Sequence, residues 1–341
     1  MLCIYIYLIN NIIRKRYIIF HLTNTIMLGL VTILIVALCI YVELFINIRQ
    51  YDLERQDKNE EDGQYAMSEY LDMMKMLSIL NLNDPAGHNA TLAAFDKVYP
   101  TIININTNVN VNIPKSILEI GFGLGTFSIL LSEKFPTTSI VGIDAHAYSV
   151  KVANDNLNQY KEEHKKDLNK NMNISFELRD ETQLNEQSNA YDIITTTFVN
   201  HHIFPDESFV DFLKQVARVG KEAFIFNDLY RSTQCIISNE FSLYALTYLP
   251  FELLYLISPS TMSRYIELFS YKREGLSLFI DGGRLSMRRS FSLSEIQQHF
   301  DVAGYPPDAV QCTHMNKWYE TYQSTCRVVC VADLKWAKDI V

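Results

Sequence analysis

Short apolar runs alternate with amphipathic segments over the last two thirds of the chain. The runs have the length of buried strands, and the segments between them carry apolar residues at helical spacing. Strands that alternate with helices predict an α/β domain with a doubly wound sheet, and the last two strands predict a hairpin-like ending. The predicted strands are 117–120, 139–144, 174–179, 191–198, 223–227, 310–315 and 327–332, and the predicted helices are 126–134, 145–166, 207–219 and 292–303. A further helix is predicted before the first strand, at 65–82.

A long apolar segment precedes this domain. Residues 26–47 are about as long as a helix that crosses a bilayer, and Glu43 is their only ionisable residue. The segment predicts a single transmembrane anchor, with a cleaved signal peptide as the alternative. The predicted divisions are an apolar and basic segment at 1–25, the anchor at 26–47, a charged linker at 48–64, the folded domain at 65–335 and a tail at 336–341.

Residues 232–279 are an insertion in the domain that is rich in large apolar side chains. Pro250 and Glu252 interrupt the apolar run, so a straight membrane span is not expected. A helical cap over the carboxyl ends of the strands explains the composition, because ligands bind at those ends in open α/β sheets. Additional core packing is the alternative. A cap would give a binding pocket apolar walls and favour a hydrophobic ligand.

Three closely spaced glycines follow the first predicted strand. Gly121, Gly123 and Gly125 allow a sharp backbone turn and a close approach to a ligand, and the helix that follows directs its free N–H groups at the same loop. Asp144 ends the second strand about 20 residues later, where a carboxylate accepts hydrogen bonds from both hydroxyls of a ribose. Together these features predict a nucleoside-binding βαβ unit.

The details of the loop decide which nucleoside is expected. Its spacing is G-x-G-x-G rather than the dinucleotide fingerprint G-x-G-x-x-G, and Glu119 precedes the first glycine by two residues. A carboxylate at this place suits a cofactor with an ammonium group better than a pyrophosphate. Leu-Glu-Ile-Gly-Phe-Gly-Leu-Gly and the later Gly-Ile-Asp144 resemble the first two motifs of class I S-adenosylmethionine-dependent methyltransferases, over roughly residues 65–335.

This resemblance implies a seven-stranded Rossmann-like sheet, S-adenosylmethionine as the cofactor, and methyl transfer to an oxygen or carbon of a hydrophobic small molecule. Because the cofactor is available in the cytosol, we expect a single-pass membrane protein whose domain faces the cytosol. A nicotinamide-dependent oxidoreductase and a non-catalytic cofactor-binding membrane protein are the alternatives. The resemblance places Glu119, Gly121, Gly123, Gly125, Asp144, Asp180 and Phe198 at the cofactor.

Two histidines stand after the fourth strand. A histidine titrates near neutrality, so His201 or His202 suits the removal of a proton from a phenol or enol acceptor. The alternatives are a histidine that only orients the acceptor and a turn that contacts no ligand. Asn200, beside them, is predicted to contact the acceptor.

Two further segments resemble the ubiquinone/menaquinone C-methyltransferase type. They are Asn227-Asp-Leu-Tyr-Arg231, at the end of the fifth strand, and the later Asp-Gly-Gly segment that leads to Arg288 and Arg289. On this resemblance Asp228, Arg231 and Arg288 are expected at the acceptor. Ion-paired surface arginines are the alternative for the last of these.

Charge and cysteine spacing argue against other classes of function. The net charge of −9 disfavours a nucleic-acid partner, since such proteins usually present a basic face. The six cysteines contain no C-x-x-C pair and no zinc spacing, so no metal site is expected and the thiols are predicted to be reduced. The sequence does not determine the oligomeric state.

Overall fold

A computed structural model of the protein describes residues 87–99, 113–164, 172–180, 182–237, 239–240, 282–315 and 326–339. Seven strands lie in these ranges. They are β1 (Ser116–Ile120), β2 (Ser139–Asp144), β3 (Ile174–Leu178), β4 (Tyr191–Thr197), β5 (Gly220–Leu229), β6 (Val310–Met315) and β7 (Arg327–Asp333).

The strands form one mixed sheet in the order β3-β2-β1-β4-β5-β7-β6. The first five strands are parallel, while β7 is antiparallel to both β5 and β6. The order reverses between β1 and β4, and such a switch point opens a crevice at the carboxyl ends of the strands. The predicted α/β fold with a seven-stranded sheet is confirmed.

Helices cover both faces of the sheet. They are α1 (His88–Val98), α2 (Thr126–Lys134), α3 (Ala147–Glu163), α4 (Asp206–Val219) and α5 (Leu293–Val302). Phe95 of α1 and Phe127 of α2 pack on one face against Ile225, while Phe212 of α4 and Phe300 of α5 pack on the other. Burial of these side chains holds the layers together at about 25 cal/mol per Å² of apolar surface removed from water.

Local signals in the sequence set the ends of α5. Ser292 accepts a hydrogen bond from the Glu295 N–H, and the Glu295 carboxylate accepts one from the Ser292 N–H, so the two residues form a capping box at the start of the predicted helix. Gly304 follows the helix with a φ of 91°. A short 3₁₀ helix at Lys335–Asp339 then packs back on the domain, with Ala337 buried. The predicted tail at 336–341 overlaps this helix, and the predicted divisions of the chain stay predictions.

Four cysteines form two disulfides within the domain. Cys235 is joined to Cys326, and Cys312 of β6 is joined to its cross-strand partner Cys330 of β7. The prediction of reduced thiols is wrong for these four residues. Spacing in sequence did not reveal the pairs, because each pair is brought together only by the β5, β7 and β6 pairing at this side of the sheet.

The predicted anchor at 26–47, the helix expected at 65–82 and most of the predicted cap at 232–279 lie outside the described residues. Within the described ranges, no helix combines the length and apolar character that a membrane crossing requires. An ion pair joins the described start of this segment to the described residues that follow it. Both carboxylate oxygens of the buried Glu240 accept from the Arg284 guanidinium, at 3.1 to 3.2 Å.

Candidate active site

The glycine loop connects β1 to α2 at the switch point of the sheet. Gly121, Gly123 and Gly125 have φ values of 71°, 55° and 73°, which favour glycine because other residues are strained there. At Gly121 a Cβ atom would also lie 2.1 Å from Val199 Cγ2. The loop therefore keeps its backbone close to the ends of β1 and β4, as predicted for a ligand-binding turn.

Asp144 lies at the carboxyl end of β2 and faces this loop. Its Oδ2 atom accepts from the Gly123 N–H at 3.0 Å, and its Oδ1 atom accepts from the His146 N–H at 2.9 Å. The side chain is buried. The Oδ1 atom also lies 3.2 Å from Nδ1 of the exposed His146 ring. The Oδ2 atom has a further lone pair for a ligand hydroxyl, so the predicted ribose contact is compatible with these contacts.

Glu119 is buried in β1 below the loop. The Ser128 hydroxyl of α2 donates a hydrogen bond to its carboxylate. Burial, followed by the nearby Asp144 charge, raises the pKa of Glu119 to about 7, although the Ser128 hydrogen bond opposes the change. Two carboxyl groups thus stand together at the loop, which favours a cationic group and disfavours a pyrophosphate.

The raised pKa predicts how Glu119→Gln changes stability with pH. A carboxyl group with a higher pKa in the folded protein stabilises the fold below its unfolded pKa of 4.5, and this contribution is lost as the pH rises to about 7. The wild-type free energy of unfolding should therefore fall by roughly 3 kcal/mol across this window because of Glu119. The variant should lack that fall. Urea unfolding of both proteins at about pH 5 and about pH 8 measures it, and equal pH dependence would contradict the prediction.

Asp180 and Phe198 occupy different surroundings at the ends of β3 and β4. Asp180 is exposed and accepts from the Thr182 N–H at 2.9 Å and from its hydroxyl at 2.7 Å, so it stabilises its own turn. Phe198 is half-buried, with a φ of 61°. Arg327 Cζ lies 3.3 Å from the centre of the Phe198 ring. The cofactor contacts predicted for Asp180 and Phe198 remain predictions.

His201 forms a buried pair with Asp228. Its Nδ1 atom lies 2.7 Å from Asp228 Oδ1, and its backbone N–H donates to Asp228 Oδ2 at 3.0 Å. Burial alone would raise the pKa of Asp228, but the His201 charge and hydrogen bonds outweigh it and the pKa is lowered. With Nδ1 directed at the carboxylate, Nε2 is the basic nitrogen of the ring.

The neighbours of this pair differ in exposure. His202 is exposed, and its ring lies 4.1 Å from the His201 ring. Asn200 is fully buried and donates to the Thr196 hydroxyl at 2.8 Å, while its Oδ1 atom has no hydrogen-bond partner in the described part of the chain. The structure thus brings Asn200, His201, His202 and Asp228 together, as predicted, and their roles in catalysis stay predictions.

The predicted arginines are less closely connected with this group. Arg231 is buried, its Nε–H donates to the Ser290 carbonyl oxygen at 2.9 Å, and its guanidinium pairs with Glu295. These contacts join the end of β5 to the start of α5 and give Arg231 a structural role that the sequence pattern did not distinguish from substrate binding. Arg288 is half-buried in the helical residues 282–289.

A comparison with known families identifies the loop and the strands around it. A family model described as a methyltransferase domain matches residues 117–223, from within β1 to within β5. The chain contains a methyltransferase domain. The match includes the glycine loop, Asp144 and the histidine pair, so the predicted first two motifs lie inside it. The match does not favour the alternatives of a nicotinamide-dependent oxidoreductase or a non-catalytic binding protein.

Solved methyltransferase structures resemble the chain at low identity. The plantazolicin methyltransferase BpumL, in complex with SAH, is 15% identical over 86% of this chain and 99% of that chain, with a TM-score of 0.45. A SAM-dependent methyltransferase from Aquifex aeolicus is 14% identical over 64% and 82%, with a TM-score of 0.39. Phosphoethanolamine N-methyltransferase 2 from Haemonchus contortus is 13% identical over 76% and 45%, with a TM-score of 0.44. No curated protein sequence matches the chain.

S-adenosylmethionine is the cofactor of this methyltransferase domain, and the residues present fit it. Asp144 suits the ribose, and the glycine loop admits a ligand close to its backbone. The carboxyl pair of Glu119 and Asp144 suits an amino group. A dinucleotide would instead place its pyrophosphate charges beside two acids, so the donor set favours the sulfonium nucleoside.

Other residues beside the predicted site come from elements for which no role was predicted from the sequence. His88 and Thr91 belong to the first turn of α1, and the Asn227 amide fixes this turn by donating to the Gly87 carbonyl oxygen at 3.0 Å and to the Thr91 hydroxyl at 2.8 Å. Arg327 begins β7 and reaches Phe198. No local motif marks these residues, because they meet only through the order of strands in the sheet. Among the described residues, no cluster of three or more potential metal ligands occurs.

Proposed function

We propose that the protein transfers the methyl group of S-adenosylmethionine to an oxygen or carbon of a hydrophobic small molecule such as a phenol, a quinol or a lipid-like acceptor. The observation that carries the proposal is the Asp144–Gly123 hydrogen bond at the mouth of a glycine loop within the matched methyltransferase domain. The cofactor, when bound, supplies an electrophilic methyl group on a sulfonium. The protein must then align the acceptor and manage its proton.

The residues around β4 and β5 support the choice of acceptor. Asp228 orients His201, whose Nε2 atom suits the removal of a proton from a phenol. The Asn227-Asp-Leu-Tyr-Arg231 segment resembles the ubiquinone/menaquinone C-methyltransferase type. The apolar composition of residues 232–279 favours a hydrophobic acceptor. A quinol or related phenol agrees with all three features.

Turnover with a labelled methyl donor tests this proposal. Full-length protein in detergent should transfer label from methyl-labelled S-adenosylmethionine to at least one member of a panel of quinols and phenols. His201→Ala should lower kcat by about 100-fold, the lower end of the usual contribution of a general base. Full activity of this variant would contradict the base role, and absence of transfer to every compound would contradict the proposed acceptor class.

We also propose that residues 26–47 anchor the protein in a membrane as a single span. The cytosolic placement of the domain rests on the availability of the cofactor, and the two disulfides weigh against it because disulfides are rare in the cytosol. Asn89 and Asn173 start two N-x-S/T sequons and are both exposed. A glycosidase-sensitive mass increase at either residue in cells would contradict the cytosolic placement.

A further inference from the structure

Three residues from distant parts of the sequence lie near the carboxyl end of β4. Asn227 links two of them, because its carbonyl oxygen accepts from the Phe198 N–H at 2.9 Å and its amide donates to the carbonyl oxygen of Gly87, the residue before His88, at 3.0 Å. Phe198 follows β4 directly, Arg327 begins β7, and His88 begins α1. The Arg327 guanidinium is stacked on the Phe198 ring, with 3.3 Å between Cζ and the ring centre. Arg327 also acts electrostatically on His88, and burial is the larger influence there. We call these three residues the β4 cluster.

His88 in the β4 cluster is a buried polar group that the fold leaves incompletely satisfied. Its side chain lies against Phe127, with 4.9 Å between the ring centres, and only 7% of the residue is exposed. The Nδ1 atom has no hydrogen-bond partner in the described ranges. A buried donor or acceptor without a partner costs about 1–3 kcal/mol. We therefore expect a ligand or a water molecule to form a hydrogen bond with His88 Nδ1.

Phe198 holds the β4 cluster in place at a cost in backbone energy. Its φ of 61° is unusual for an aromatic residue, and its N–H donates to the Asn227 carbonyl oxygen at 2.9 Å. Non-glycine residues in this conformation concentrate at functional sites, where the surrounding structure over-determines them. Here the conformation places the aromatic ring beneath the Arg327 guanidinium.

The β4 cluster lies beside the cofactor loop rather than on it. Phe127, which contacts His88, is the second residue of α2 and follows the glycine loop. β4 is the sheet neighbour of β1, whereas Asp144 ends β2 on the other side of β1. A molecule held at the β4 cluster would therefore adjoin the cofactor from the side of β4 and β5, the side on which His201 and Asp228 also lie.

We propose that the β4 cluster binds the methyl acceptor as an anion, with Arg327 paired to a planar oxyanion of the acceptor and His88 hydrogen-bonded to it through Nδ1. This inference rests on the proposed function and narrows its acceptor to an aromatic phenolate or carboxylate. The guanidinium suits such a group because its planar fork of N–H donors matches a planar oxyanion. Burial and the Arg327 charge lower the pKa of His88 to about 4, so at neutral pH Arg327 is the cation of the cluster.

The reaction that follows is balanced in charge. A phenol acceptor first gives its proton to Nε2 of His201, the base of the proposed function, whereas a carboxylic acid is already ionised at neutral pH. The acceptor oxygen then forms a bond to the methyl carbon while the carbon–sulfur bond breaks, and the electron pair of that bond stays on sulfur. An anionic acceptor and a cationic donor become a neutral methyl ether or ester and a neutral thioether. The product has lost the charge that Arg327 recognises, so the β4 cluster favours the substrate over its product.

A pair of probes with the same shape and different charge tests this inference. Binding of 2-naphthoate and of 2-naphthamide to the full-length protein saturated with S-adenosylhomocysteine would be measured by calorimetry. We expect 2-naphthoate to bind at least about 10-fold more tightly, within the range for a charge-assisted hydrogen bond. Arg327→Met should remove this preference, Arg327→Lys should retain part of it, and His88→Leu should weaken 2-naphthoate by about 3- to 10-fold.

Two controls make the result specific. Lys151→Met removes one positive charge from an exposed position of α3 and should leave the preference unchanged. All variants should bind S-adenosylhomocysteine within about 2-fold of wild type, because the inference places the β4 cluster outside the cofactor contacts. Equal affinity for the two probes in wild type, a preserved preference in Arg327→Met, or binding of neither probe would overturn the inference. If the wild-type protein does not bind S-adenosylhomocysteine, the proposed function itself is refuted.

Discussion

Replacing Asp144 with alanine is expected to weaken S-adenosylhomocysteine binding by about 100-fold or more. A ligand hydrogen bond to a charged group contributes about 1.5–3 kcal/mol, and we propose that the Asp144 carboxylate accepts from the ribose hydroxyls. The substitution also leaves the Gly123 N–H without the acceptor that now lies 3.0 Å away. Both effects act on the same ligand, and calorimetry on the purified full-length variant measures their sum.

Asp192 supplies a matched control for this substitution. It is also a buried carboxylate that accepts backbone hydrogen bonds, from the Lys115 and Ser116 N–H groups at 2.6 and 3.2 Å, but it lies at the amino end of β4. Asp192→Ala should lower the thermal midpoint at least as much as Asp144→Ala and leave affinity nearly unchanged. Equal losses of affinity in the two variants would mean that Asp144 acts only through folding.

Removing the Cys235–Cys326 disulfide is expected to lower the free energy of unfolding by about 4–5 kcal/mol. The bond closes a loop with a sequence separation of 91, and the entropy that a cross-link removes from the unfolded chain grows with loop length. The Cys312–Cys330 bond has a separation of 18, so its removal should cost less, about 3 kcal/mol. Urea unfolding of the two double Cys→Ser variants measures both values.

The wild-type protein provides the check on this comparison. Peptide mapping without reductant should recover Cys235 linked to Cys326 and Cys312 linked to Cys330. The addition of a reductant should destabilise the wild type and leave a protein with all four cysteines replaced unaffected. Four freely alkylated thiols in the purified native protein would contradict both disulfides, and the original prediction of reduced thiols would then stand.

Local signals in the sequence sufficed for much of the fold. The predicted bounds of α2 agree with the structure because Gly125 precedes the helix and Phe135-Pro136 stops it. β5 runs from Gly220 to Leu229 and is longer than predicted. The polar Lys221 and Glu222 hid its start in the sequence, and pairing with β4 and β7 extends the strand. Tertiary pairing outweighs strand propensity at such positions.

The residues proposed to hold the cofactor were predictable for the same reason, whereas His88 and Arg327 of the β4 cluster were not. The glycines and Asp144 lie in one βαβ unit, so their spacing carries the information. His88, Phe198 and Arg327 come from three separate elements, and only the sheet order brings them together. The positive φ of Phe198 has no sequence signature of the kind that glycine provides.

The assignment of the glycine loop depends most directly on whether the crevice holds a sulfonium nucleoside or a dinucleotide. Calorimetric titration of the full-length protein with S-adenosylhomocysteine and, separately, with NAD⁺ tests this choice. We predict a dissociation constant for S-adenosylhomocysteine in the micromolar range, on the order of 8 kcal/mol of binding free energy, and no measurable heat with NAD⁺. Tighter binding of NAD⁺ would contradict the assignment of the loop, Glu119 and Asp144 to a sulfonium nucleoside.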